Sequence, residues 1–305
     1  LVLVVKDTDA AVKELDAAST IDRAISTQIY QLRKALKNDK CKPDAECRMQ
    51  IGLALAGLGQ WDLAGVLFGE AVESDPKNAE AWAFLGEARQ QSGGDGFAAL
   101  EQAEHLAPDS TTTRSLMALY WRRERNFEKA NEIMEDLAED EPERAAWQIE
   151  LGNIAAEAGN PKRAMEHFRA ATELEAENPA AWLAQARFCL ERGMNLHDTG
   201  LAAARRAVLL APEDPEALTL MGRILFELGD YSSAERFLTK AIQVDEQNPT
   251  AHLMLGQVYF KNGDTDRAYE HLQNAVKMSE PDETAGVLAR RLMESLFPGG
   301  ATIEE

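Results

Sequence analysis

Apolar positions along the chain recur at helical spacing and are interrupted at short, regular intervals. In residues 79–110, Trp82 and Leu85 fall on one face of a helix that continues through Gly86 and Arg89. Gly93-Gly94-Asp95-Gly96 breaks this helix. Leu100, Ala103 and Leu106 mark a second, shorter one, and Pro108 ends it because proline has no N–H to extend the ladder. The segment therefore predicts a helix–turn–helix hairpin.

The hairpin repeats. A small residue returns at Gly52, Gly86, Ala118, Gly152, Ala186, Gly222 and Gly256. Two further ladders run Ala64, Gly96, Ala130, Ala164, Gly200, Ala234, Ala268 and Ala71, Ala103, Leu137, Ala171, Ala207, Ala241, Ala275. Each ladder steps by 34 residues apart from one interval of 32 and one of 36. Small side chains belong where two helices cross, since a larger Cβ substituent would push the backbones apart. One hairpin cannot bury its own apolar face, whereas stacked neighbours can. The ladders predict seven units, at 45–78, 79–110, 111–144, 145–178, 179–214, 215–248 and 249–282.

The residues around these positions carry a resemblance. Ala64, Phe68, Ala71 and Pro76 are spaced as A-x3-F-x2-A followed by P. Ala164, Phe168 and Ala171 repeat the core of that pattern, as do Ala234, Leu238 and Ala241. Leu255, Gly256 and Tyr259 reproduce L-G-x2-Y, and Ala268, Leu272 and Ala275 follow them. The pattern resembles the tetratricopeptide repeat family. The resemblance implies an all-α, right-handed superhelical solenoid whose first helices line a concave groove that holds a peptide or partner helix.

Departures from the pattern carry their own expectations. The unit at 79–110 is two residues short at its Gly-rich turn, and the unit at 179–214 is two residues long around Arg192–Gly200, predicting a loop that bulges from one edge. Ala176, Glu246 and Glu280 replace the closing proline, so those second helices are expected to run on with less of a break. Residues 1–44 read as an N-terminal helical cap or degenerate repeat, with helices over 10–18 and 22–36. Residues 283–298 read as a C-terminal capping helix and 299–305 as a loose tail.

Charge narrows the partners. The 305 residues carry a formal −20, yet residues 1–44 are net positive and the stretch from Thr20 to Lys42 is locally basic. An acidic chain is poorly suited to nucleic acid, which needs Lys and Arg to replace counterions. No apolar window is long enough to span a membrane. The opening Leu-Val-Leu-Val-Val fits the end of a short strand or of an apolar leader lying upstream, which leaves cytoplasmic and periplasmic locations both open. Cys41, Cys47 and Cys189 match no zinc spacing and are expected as ordinary thiols; a Cys41–Cys47 bridge in an oxidising compartment is the other reading.

No phosphate-binding loop, Gly-x-Ser-x-Gly or His-Glu-x-x-His occurs, and the five histidines are scattered along the chain. His167 and His271 occupy equivalent places in their units and are expected at a repeated surface position. The chain is therefore expected to bind protein without catalysing a reaction, and to need no cofactor or metal.

Carried across by register, the groove face reads Leu53, Glu87, Leu119, Asn153, Arg187, Arg223 and Gln257 one residue after the small position. Four residues on it reads Gly57, Gln91, Arg123, Glu157, Glu191, Glu227 and Lys261. Asn153, Arg187, Arg223 and Gln257, with Arg122 and Arg123, are the candidate partner-binding residues. Such a row suits a carboxylate or an acidic segment, because guanidinium pairs bidentately with carboxylates. Arg187 with Glu191 and Arg223 with Glu227 offer the competing arrangement, local i, i+4 pairing. The leading expectation is a scaffold or adaptor holding a partner peptide or helix. The alternative is a structural subunit of a larger, envelope-associated complex, binding through its edge, convex face or basic N-terminal helix, with self-association between the basic segment and acidic repeats.

Overall fold

A computed structural model of the protein describes residues 45–279 and 283–297. Among them are fifteen α-helices and no strand. In chain order these are α1 (Ala45–Gly57), α2 (Trp61–Ser74), α3 (Ala79–Gln91), α4 (Phe97–Leu106), α5 (Thr111–Arg123), α6 (Phe127–Asp140), α7 (Ala145–Glu157) and α8 (Pro161–Leu174). They continue as α9 (Pro179–Arg192), α10 (Leu201–Leu210), α11 (Pro215–Glu227), α12 (Tyr231–Val244), α13 (Pro249–Lys261), α14 (Thr265–Met278) and α15 (Thr284–Leu296). The contacts form two compact units, one ending at Ala164 and one starting at Met165. Within the first, each helix from α1 to α7 packs on the next; within the second, the same holds from α9 to α15. The architecture is an all-α helical-repeat solenoid. The expected N-terminal cap, Cys41, Glu280 and the tail after Phe297 lie outside the described residues.

The crossing of paired helices explains the small-residue ladders. A Cβ on Gly52 would sit 2.6 Å from Phe68 Cε1, one on Gly222 2.5 Å from Leu238 Cγ, and one on Gly256 2.7 Å from Leu272 Cγ. Phe68, Leu238 and Leu272 are wholly buried there. Burying such a side chain is worth roughly 1.5–3 kcal/mol. A mid-helix glycine costs only about 1 kcal/mol, so the exchange is favourable. Where Ala186 takes the crossing position, the matching place on α10 is also small, Ala204, and both are fully buried.

Two turns alternate along the chain. Within each pair, the seventh residue after the small position has positive φ: 72° at Gly59, 78° at Gly93, 79° at Gly159, 60° at Gly193, 79° at Gly229 and 81° at Gly263. The seventh member of the series is Arg125, at 58°. Between pairs, an amide bonds the carbonyl three residues back at every junction: Asn78 to Asp75, Ser110 to Ala107, Arg144 to Glu141, Asn178 to Glu175, Asp214 to Ala211 and Asn248 to Asp245. Asn78, Ser110, Asn178, Asp214 and Asn248 then cap the following helix through their side chains. The expected run-on at Ala176 and Glu246 does not occur. Those junctions close with the same turn as the proline-bearing ones, so the backbone bonds and the caps end the helices without proline.

The irregular units differ from expectation in an informative way. The two added residues near Arg192 do not form an open bulge. They make a π-helical turn, Leu196–Gly200, that runs into α10 and exposes only its tip, His197 and Asp198. In the short unit, α4 begins a turn late, after Gly96, whose absent Cβ would lie 2.1 Å from the Gly86 carbonyl oxygen. Trp82 and Trp182 clip the junctions, donating Nε1–H to the carbonyls of Pro76 (3.0 Å) and Ala176 (2.8 Å), each six residues upstream. Trp147, displaced by one position, is instead buried with the Arg144 guanidinium 4.3 Å from its ring centroid.

Arg125 holds a left-handed conformation that glycine adopts without the Cβ clash. Arg125→Gly is expected to stabilise the protein by about 1 kcal/mol, after the entropy glycine adds to the unfolded chain. Urea denaturation would show this as a higher midpoint with an unchanged slope.

Candidate functional site

The candidate side chains stand on first helices, and the structure divides them by what holds them. In the first unit, Arg123 on α5 forms a bidentate pair with Glu87 on α3, at 2.7 and 2.6 Å. The Glu87 side chain is only 7% exposed and also accepts from Gln91 Nε2 at 2.8 Å. Arg122 pairs with Glu150 on α7 and lies 3.5 Å from Glu157. Asn153 donates to the same Glu150 at 3.2 Å. Burial pushes the Glu150 carboxyl above its ordinary value, while Arg122 and Asn153 pull it back. The hydrogen bond to Glu87 raises Arg123 above the usual guanidinium value. Arg122, Arg123 and Asn153 are thus tied into a network across α3, α5 and α7. Removing Arg123 would strand a nearly buried carboxylate, a change that costs about 3–5 kcal/mol in such pairs.

In the second unit the row is looser. Arg187 on α9 is exposed and pairs with Glu216 on α11. An exposed pair is worth about 0–1 kcal/mol and exchanges readily for a ligand carboxylate. Arg223 on α11 is half-buried and makes no ion pair among the described residues. Gln257 on α13 is likewise half-buried. The local i, i+4 arrangement is not seen: Arg187 reaches Glu216 rather than Glu191, and Arg223 does not pair with Glu227. In the register of Glu87 with Arg123, the position facing Arg223 is Lys261, a like charge. Phe226 and Phe260, four residues after the crossing glycines, stay half-buried, whereas Leu116, Leu220 and Met254 are consumed by packing between repeats.

The carboxylate partners Glu87, Glu150 and Glu216 were missed because they lie 28 to 36 residues from their arginines. Pairing each residue with the next first helix at the repeat register would have found the first of them. The histidines hold a second surprise. His271 is no isolated surface residue: its Nδ1 lies 2.9 Å from Nδ1 of His252, which is only 5% exposed. His252 occupies the place of Trp82 and Trp182, and its Nε2 faces the carbonyl six residues upstream, Glu246, at 3.4 Å. The second-helix partner is Ala99 beside Trp82, Ala203 beside Trp182 and His271 beside His252. A small residue therefore accompanies the indole, and a second ring fills the space beside the smaller imidazole. With Nε2–H donating to Glu246, neutral His252 must accept at Nδ1, so His271 Nδ1–H is the donor.

Cys47 is held in a disulfide, against the expectation of an ordinary thiol. Cys189 is free and fully buried, and burial pushes its thiol up to about 11, which keeps it protonated and unreactive. Among the described residues, no group of three or more His, Cys, Asp or Glu is placed to hold a metal ion, and no helix is long and apolar enough to cross a membrane.

Comparison with known proteins follows the same lines. Two profiles described as tetratricopeptide repeat match residues 121–188 with 225–290, and residues 186–252, and together run through more than half of the chain. The chain belongs to the tetratricopeptide repeat family. Proteins of this family serve as protein-interaction scaffolds, and the fold implies protein partners. Among curated proteins, this tetratricopeptide repeat chain is 28% identical over 156 residues to the type IV pilus assembly protein PilF of Pseudomonas aeruginosa, covering 50% of this chain and 62% of that one. It is 39% identical over 93 residues to a peroxisomal targeting signal receptor of Komagataella phaffii, covering 30% of this chain and 15% of the receptor. The chain thus spans less than two thirds of either relative. Among solved structures, yeast Tom70 superposes with a TM-score of 0.69 at 16% identity, over 94% of this chain and 59% of Tom70. A tetratricopeptide repeat protein from Parabacteroides merdae gives 0.59 at 18% identity, over 82% and 98%. These two likenesses speak to the fold alone.

Burial lowers the pKa of His252, and burial with the His252 charge lowers that of His271. The charges of Asp245 and Glu270 act on His252, those of Glu270, Glu235 and Arg267 on His271, and Tyr259 stacks on the His271 ring. Both folded values lie below the unfolded value of about 6.5. Their contribution to stability is therefore complete above about pH 6.5 and is lost as the pH falls towards the folded values. His252→Trp/His271→Ala recreates the arrangement at Trp82 and Trp182. Its melting temperature is expected to fall less than that of the wild type between pH 7.5 and 5.5.

Proposed function

We propose that this chain is a non-catalytic adaptor that holds an acidic or carboxylate-bearing segment of a partner polypeptide on the first helices of its second unit. Arg223 is the central contact, flanked by Arg187, Gln257 and Lys261. The observation that carries the reading is the Arg223 guanidinium, which makes no ion pair among the described residues in a chain of net charge −20. Acidic side chains outnumber basic ones, and Arg123 on a first helix of the first unit has claimed a carboxylate of its own. The half-buried Phe226 and Phe260 add apolar surface for an amphipathic segment. Arg122, Arg123 and Asn153 serve the same reading by holding the first helices of the first unit together. The seven repeats over 45–282, with capping segments on either side, form the frame of this proposal.

Likeness to a pilus assembly protein favours a second reading, in which the chain is a structural subunit of a larger envelope-associated complex. The disulfide at Cys47 accords with an oxidising compartment.

Partner capture by the wild type and by Arg223→Glu separates the two. The adaptor reading expects a partner whose retention falls at least about tenfold in Arg223→Glu, the loss of roughly one charge-assisted contact. Helicity and melting should be unchanged. Equal retention of every partner would remove Arg223 from the binding surface and favour the assembly reading.

A further inference from the structure

The short unit is altered at its inner turn. Its second helix lacks the first turn, and Gly93-Gly94-Asp95-Gly96 fills the gap. This leaves an open hollow of about 480 Å³ lined by Gln90, Gly93, Gly94, Asp95, Tyr120 and Glu124. The two glycines add no side chain to it. Tyr120 is only 8% exposed, its ring held by Phe97 at 5.3 Å and Trp121 at 5.2 Å. Its hydroxyl makes no hydrogen bond among the described residues and reaches the open hollow, which the residue lines. Asp95 accepts from the Phe97 amide at 2.8 Å, and neither it nor Glu124 forms an ion pair among the described residues. Burial raises the Tyr120 pKa, and the charges of Asp95 and Glu124, which line the same hollow, raise it further. Gln90 and Glu124 stand at the C-terminal ends of α3 and α5, where the helix dipole adds further negative potential.

The last repeat contains the same three chemical groups with their ligand in place. There, a hollow of about 400 Å³ is lined by Tyr259, Asp264 and Glu235, together with Arg267 of the same chain. The Arg267 guanidinium lies 4.2 Å from the Tyr259 ring centroid, its Nε donates to Asp264 at 2.5 Å, and its Nη1 is 3.7 Å from Glu235. A tyrosine, a turn aspartate and a glutamate surround a guanidinium at one site. At the other no guanidinium is among the lining residues.

We propose that the hollow at Asp95, Tyr120 and Glu124 is a subsite for an arginine side chain presented by a partner polypeptide. The guanidinium would donate to both carboxylates and to the Tyr120 oxygen, which suits its planar fork better than it suits an ammonium. The subsite goes beyond the Arg223 surface and does not rest on it: it lies in the first unit and takes the opposite charge.

The test is a titration of the full-length chain with acetyl-Gly-Arg-Gly-amide, followed by amide NMR shifts. Matched lysine and norleucine peptides serve as comparisons. Saturable shifts are expected at Gly93, Gly94, Asp95 and Tyr120, with the lysine peptide weaker and the norleucine peptide inactive. Asp95→Asn/Glu124→Gln keeps the Asp95 cap on Phe97 and should weaken arginine binding at least about tenfold with helicity and melting unchanged. Tyr120→Phe should weaken it by a smaller factor. Shifts that do not saturate, that persist in the double variant, or that the norleucine peptide reproduces would overturn the subsite. A lysine peptide binding as tightly as arginine would overturn its assignment to guanidinium.

Discussion

The close crossing of the two helices in each pair is the contact on which the rest of the molecule depends. It requires a residue with little or no side chain on the first helix, and at Gly52, Gly86, Gly222 and Gly256 it is made tight by a large apolar residue from the second. Phe68, Leu238 and Leu272 reach the backbone of their partners only because Gly52, Gly222 and Gly256 are bare. Once that contact is set, the turn within the pair follows, because the chain must reverse within a few residues. The left-handed residue at the helix end makes the reversal. The pair then presents one apolar face to the next, and stacking within each unit completes the core.

Much of this was legible in the sequence because it repeats. A single glycine in a helix says little, but seven small residues at steps of 32 to 36 define a crossing point. What stayed hidden involves contacts between repeats or exchanges of one solution for another. The Glu87–Arg123, Arg122–Glu150 and Arg187–Glu216 pairs join adjacent first helices, whereas local spacing suggests i, i+4 pairing of Arg187 with Glu191 and of Arg223 with Glu227. His252 and His271 look unrelated along the chain. They become a pair only when His252 is recognised as standing in for a tryptophan whose neighbour is normally small. The π-helical turn at Leu196–Gly200 was read as a loop because two extra residues carry no signal of how they are absorbed.

The candidate sites inherit this division. In the first unit, the polar face of the first helices is occupied by its own ion pairs, with Glu87 nearly buried among them. In the second, the same face carries an exposed pair at Arg187 and an uncommitted Arg223. The two units therefore differ less in fold than in how many of their charges are already spoken for. Among the described residues, Arg223 of the second unit makes no ion pair, and neither do Asp95 and Glu124 of the first.

The clips that Trp82, Trp182 and His252 make to the carbonyl six residues upstream have a further meaning for how such an array changes length. From each residue of the Ala71 ladder to the next crossing residue the distance is always 15 positions, at all six junctions. Both irregular units take their lost or added residues inside the hairpin, between Gly86 and Gly96 and between Ala186 and Gly200. The joint between repeats thus behaves as a fixed coupling, locked by its turn, its cap and in places its ring clip. The elbow within a repeat is the adjustable part. Novelty can be spliced into the elbows without disturbing the pitch, and it is at one of those elbows, shortened by two residues, that the hollow beside Tyr120 opened.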